Sequence, residues 1–70
     1  MICIDNIWIT KHAQEKMQAE GVSAKQIIEA LERGSKFQQT DGLLVKYSYF
    51  SVAYKKLGEK YLIKTVFLNR

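Results

Sequence analysis

The chain has no proline, one cysteine (Cys3), one histidine (His12) and one tryptophan (Trp8) in 70 residues. A single cysteine excludes an internal disulfide, and no cysteine or histidine cluster stands at zinc spacing, so packing alone must hold the domain together. No phosphate-binding glycine loop, paired-carboxylate spacing or metal motif is present, and no cofactor is expected. No apolar run approaches the ~18 residues of a membrane helix. The opening MICIDNIWIT carries Asp5 and lacks a basic leader or small-residue cleavage site, so it does not read as a secretory signal. A reduced cytoplasmic setting, away from membranes, is the expectation. Carboxylates are scarce in the second half. Residues 36–70 hold Asp41 and Glu59 against seven cations, whereas residues 1–35 hold five acidic and four basic side chains. That asymmetry suits either a polyanionic partner or a sheet whose edges are guarded by lysine.

What is present begins with residues 22–34, VSAKQIIEALERG. Ser23 is an N-cap candidate with Gln26 at capping-box spacing, and Val22 and Ile27 are spaced to form a hydrophobic staple. Ile27, Ile28 and Leu31, flanked by Ala24 and Ala30, form one apolar stripe at helical spacing. Gly34 is expected to end the helix in a left-handed conformation. A shorter helix is expected over residues 11–20, capped by Thr10, with a thin buried side of Ala13 and Met17 and a turn at Gly21.

After Gly34 the apolar period changes from helical to alternating. Residues 35–40 are a candidate strand, and Asp41-Gly42 is a hairpin signal, read as a type I′ turn with positive φ at both positions. The run 43–54, LLVKYSYFSVAY, changes parity near Ser48 to Ser51, which requires either a bulge or a tight turn that splits it in two. Residues 57–60 form a turn, and residues 61–68, apolar on both faces, form a last strand inside the sheet. Residues 2–10, interrupted at Asp5-Asn6, form a short strand or bent arm. The expected architecture is a single α+β domain over residues 1–70. It has a short N-terminal strand and two helices on one face of a small antiparallel sheet of three to four strands. Seventy residues bury only roughly 60% of their unfolded surface, so every large apolar side chain counts.

Few residues can carry chemistry. His12, the only histidine, falls in the first turn of the shorter helix and suits a general base or a structural hydrogen bond. Tyr47, Tyr49, Tyr54 and Tyr61 alternate with Lys46, Lys55, Lys56 and Lys64, the mixture with which an open sheet holds single-stranded nucleic acid; the same tyrosines also suit a half-buried sheet. Cys3 has no basic neighbour in sequence and reads as a buried thiol. Met17, Gly21, Val22 and Ile27 fall roughly where a helix-turn-helix places its packing and turn residues. However, Lys25, Glu29, Glu32 and Arg33 leave the recognition helix without net charge, and Met17 occupies a position that usually holds a small residue.

The stretch TKHAQEKMQAEGVSAKQIIEALERG, with KFQQTDGLLVKYSYFSVAYK and LIKTVFLNR after it, resembles the domain-of-unknown-function 4258 family of small prokaryotic proteins. That family carries an HA-x-x-[RK]-M segment, a G-[IV]-S helix start, a glycine after the second helix and a T-V-[FY] ending. His12, Ala13, Lys16, Met17, Gly21, Ser23, Gly34 and Thr65 match it. The family is similar to BrnT-type and RelE/ParE-type toxins, several of which cleave mRNA. With the basic second half, the resemblance implies a metal-independent endoribonuclease in which a 2′-hydroxyl attacks the adjacent phosphate. His12, Lys64 and Tyr47 would be its catalytic residues, and Lys46, Lys55 and Arg70 would bind substrate. Implied partners are RNA or the ribosome and a cognate antitoxin, with homo-oligomers left open. The alternative is a non-catalytic RNA- or protein-binding module of the same fold, and after it a helix-turn-helix regulator of DNA.

Overall fold

A computed structural model describes residues 2–68, with the side chain of Ile4 left aside. After a 3-10 turn (Ile4–Asn6) come β1 (Ile7–Ile9), α1 (Lys11–Glu20), α2 (Ala24–Arg33), β2 (Ser35–Gln39), β3 (Gly42–Tyr47), β4 (Phe50–Leu57) and β5 (Lys60–Leu68). The strands form one five-stranded sheet in the order β1-β5-β4-β3-β2. The domain is α+β, but the sheet has five strands rather than three to four, and it is mixed rather than antiparallel. β2 through β5 form an antiparallel meander, and β1 pairs in parallel with β5, Ile7 opposite Tyr61 and Ile9 opposite Ile63. The extra strands have two causes: a turn splits the run 43–54, and the three-residue β1 joins by long-range pairing.

Both helices start where the sequence says they should. The Thr10 hydroxyl accepts from the Ala13 amide at 3.1 Å and donates to the Ile63 carbonyl at 3.0 Å, fastening the start of α1 to β5. Ser23 and Gln26 form a reciprocal capping box, Ser23 N to Gln26 Oε1 at 2.8 Å and Gln26 N to Ser23 Oγ at 3.3 Å. α1 ends at Gly21 in the left-handed region, φ 72°. Gly34 does not. Its backbone is extended (φ −75°, ψ 168°), and what it needs is the absence of a side chain. A Cβ there would lie 2.5 Å from Val45 Cγ2 and 2.6 Å from the Ala30 carbonyl oxygen, where α2 meets β3.

The three hairpins are all two-residue loops. Gln39 pairs with Gly42, so the first loop is Thr40-Asp41 rather than Asp41-Gly42. The positive φ falls on Gly42 alone (φ 127°), which excludes the expected type I′ turn. The second loop is Ser48-Tyr49, with Ser48 at φ 56°, so the parity change in the sequence is a tight turn. The third is Gly58-Glu59. A bulge does occur, but on β5: Ala53 pairs with Thr65 and Tyr54 with Ile63, leaving Lys64 as the extra residue. It shifts the phase of β5, so that Ile63 and Val66 reach the same core from one strand.

With register and pleat in hand, the sheet's two faces separate. One carries Ile7, Val45, Phe50, Val52, Tyr54, Ile63 and Val66, all buried with Ala13 and Met17 of α1, Val22, and Ile27, Ala30 and Leu31 of α2. Each large side chain among them contributes about 1.5–3 kcal/mol by leaving water. α1 lies against β5, and α2 against β3 and β4. The other face has no helix over it. Cys3 is exposed rather than buried: it stands before the 3-10 turn and outside the sheet, while its neighbour Ile2 packs against the core.

Candidate functional site

The uncovered face follows from pairing alone. Trp8 lies beside Leu62 and Lys55; Phe37, Leu44, Ala53 and Thr65 form the next row; Ser35, Lys46, Ser51 and Phe67 form the row after it. Leu57 and Lys60 close the end of the sheet. Small residues sit in the middle, Ser51 at 0% exposure and Ala53 at 9%, overlapped by longer neighbours. Around them stand large apolar groups in contact with water: Trp8 is 52% exposed, Phe37 48%, Leu57 46% and Phe67 39%. Exposed apolar groups of this size on one face make it the candidate contact surface of the domain.

Charge on this face has one sign. Every carboxylate among the described residues lies in a helix, a turn or the 3-10 segment, and none in a strand. Lys46, Lys55 and Lys60 stand on the open face without a carboxylate partner among the described residues. Two of them rest on aromatic rings, Lys60 Nζ 4.3 Å from the centroid of Trp8 and Lys46 Nζ 5.5 Å from that of Phe37. At exposed sites such contacts contribute about 0.5–1 kcal/mol. No cavity is enclosed among the described residues.

The residues proposed from sequence scatter between the layers. Lys46 and Lys55 share the open face. Lys64, at the bulge, reaches past β4 to the Thr40-Asp41 turn, donating to the Asp41 carbonyl, with Asp41 Oδ2 3.4 Å away. Tyr47 is on the helix-covered face, donating to Glu29 Oε2 of α2 at 3.3 Å. His12 is exposed in the first turn of α1, in the helix layer. Arg70 lies outside the described residues. Lys16 pairs with Glu20 at 3.5 Å, a part-buried i,i+4 contact within α1.

None of the tyrosines expected to interleave with lysine stands on the open face. Tyr54 is 1% exposed in the core, its pKa raised by desolvation and then by neighbouring Tyr61, whose ring centroid is 5.9 Å away. Tyr61 faces the helix side with Lys56 Nζ 5.6 Å from its ring, and Tyr49 sits in a turn and accepts from Gln26 Nε2 at 3.1 Å. The open-face aromatics are Trp8, Phe37 and Phe67, which sequence reasoning missed. Alternation places Phe37 in phase with Ser35 and Gln39, but joining it to Lys46 and Phe67 requires the Ser48 turn and the Lys64 bulge.

Residues 9–68 match the family model described as Domain of unknown function (DUF4258). The chain belongs to that family. No curated protein and no solved structure matches it significantly. Among the described residues no three histidine, cysteine, aspartate or glutamate side chains gather as a metal site, and no helix is long and apolar enough to cross a membrane.

Proposed function

We propose that this chain is a RelE/BrnT-like, toxin-type protein of the cytoplasm that binds RNA through the open face of its sheet. One observation carries the reading: a sheet face on which exposed aromatic rings stand among lysines and, among the described residues, no strand contributes a carboxylate. Lysine pairs with phosphate and releases counterions, and aromatic faces accept bases by stacking, at about 1–3 kcal/mol per base. The helix pair offers less. The outer side of α2 carries Lys25, Glu32 and Arg33, which attract phosphate weakly.

Catalysis asks for more than binding does. An endoribonuclease built from His12, Tyr47 and the lysines needs an imidazole and a phenol beside cations that lie on the opposite side of the sheet from Tyr47. The binding form needs the open face alone, and it is the form adopted here. A cognate antitoxin would be an acidic protein competing with RNA for the same lysines, and a small adjoining gene for such a partner would strengthen the toxin-type reading.

The test is RNA affinity measured against salt. Three lysines at about 0.7 each predict that log affinity falls with log salt at a slope near −2. A slope of zero removes phosphate contacts and the reading with them. RNA cleaved by the wild-type chain and left intact by His12→Ala would restore the nuclease form.

A further inference from the structure

We infer that Trp8 and Lys60, at the β1 corner of the open face, form a stacking site for one exposed nucleobase, and hence that the RNA engaged is single-stranded. This rests on the RNA reading above and specifies its target. Among the described residues Trp8 is the most exposed large apolar side chain, and it lies on a strand at the edge of the sheet. The ammonium of Lys60 already lies over its ring at 4.3 Å, so that ring face is open to a solvent-borne group rather than packed against the core. A nucleotide offers two groups in place of one. Its base takes the position over the indole, and its phosphate takes the displaced ammonium. The pattern recurs at the opposite edge, where Lys46 lies over Phe37 on β2. Four strand spacings separate the two edges, roughly 19 Å, with Lys55 between them. An aromatic and a cation at each side, with a cation midway, suit a single strand crossing the sheet. A duplex keeps its bases stacked inside and offers this surface phosphates, 2′-hydroxyls and base edges but no base face for the indole.

Trp8 is the chain's only tryptophan, so its emission reports this site without labelling. Titrating the full chain with a short oligoadenylate is expected to quench that emission saturably, whereas inorganic polyphosphate and the same sequence as a duplex leave it unquenched. Trp8→Ala is expected to weaken oligoadenylate binding about tenfold, read by anisotropy of a labelled strand, with the salt slope unchanged. Trp8→Phe, which keeps a ring, is expected to recover most of that loss, and far-UV circular dichroism confirms that both variants fold. Lys60→Gln is expected to reduce the salt slope by about 0.7. Equal quenching by polyphosphate, equal affinity for duplex, or an unaffected Trp8→Ala overturns the stacking site. Oligoadenylate that binds without altering Trp8 emission overturns it too, but leaves the broader RNA reading standing. No binding of any strand ends both. An emission shift with protein concentration alone, accompanied by dimers in sedimentation, makes the open face an interface between copies and overturns the inference.

Discussion

The two faces of the sheet are built from the same strands yet obey different rules. On the covered face, Phe50, Val52, Tyr54, Ile63 and Val66 are each at most 1% exposed, and they share the core with Ala13 and Met17 of α1 and Ile27, Ala30 and Leu31 of α2. On the open face, Trp8, Phe37, Leu57 and Phe67 remain between 39% and 52% exposed, with lysines among them. The first arrangement maximises area removed from water in a chain with little area to remove. The second leaves apolar surface wet, which adds little to folding and suits the binding proposed for it. Substitutions on the covered face should therefore change folding, and those on the open face should change what the protein holds.

The sharpest break in that comparison is a matched pair of truncations. Phe50→Ala should cost about 3–5 kcal/mol, a large share of the 4–10 kcal/mol or so expected for a domain of this length, while Phe67→Ala on the open face should cost below about 1 kcal/mol. Denaturant unfolding of both reads the difference, and equal losses would mean the open face is structural. Next, Gly34→Ala forces a methyl against Val45 and the Ala30 carbonyl where α2 meets β3. A loss of about 1–3 kcal/mol is expected, with no effect on RNA binding per folded molecule. The converse is the triple variant Lys46→Gln, Lys55→Gln and Lys60→Gln. It should flatten the salt dependence of RNA affinity by about two units of slope yet move folding stability by no more than about 0.5 kcal/mol.

The smallest effect concerns Tyr54. Burial raises its pKa above the ordinary tyrosine value, so above about pH 10 the unfolded chain gives up that proton before the folded one does. The neutral phenol's contribution is whole below that pH and is lost as pH rises through the raised folded value. Stability should decline there, and Tyr54→Phe should lessen the decline in pH-dependent unfolding.

Reading the sequence was most successful where the information was local. Thr10, Ser23 and Gln26 identify helix starts because capping is settled within four residues, and the buried set Ala13, Met17, Ile27, Ala30 and Leu31 follows from helical period. Gly34 shows the limit of such reading. Glycine after a helix suggests a left-handed cap, but here the demand comes from Val45, eleven positions away. Asp41-Gly42 misled for a related reason, since a hairpin's loop is defined by which residues pair across it, and Gln39 pairs with Gly42. The candidate site was the least legible part. The lysines Lys46 and Lys55 were found, but the aromatics beside them were assigned to tyrosines that the core and α2 take up.

By itself the sequence determined two capped amphipathic helices, an α+β chain, a basic second half and the family to which it belongs, because each of these is a matter of spacing, composition or motif. Only the tertiary structure decided which way the strands face. A side chain's face depends on register, and register here turns on a tight turn at Ser48, one extra residue at Lys64 and a parallel pairing between segments more than fifty residues apart. The turn and the extra residue each shift the alternation by a single position, and a single position is enough to move a ring from the core to the water.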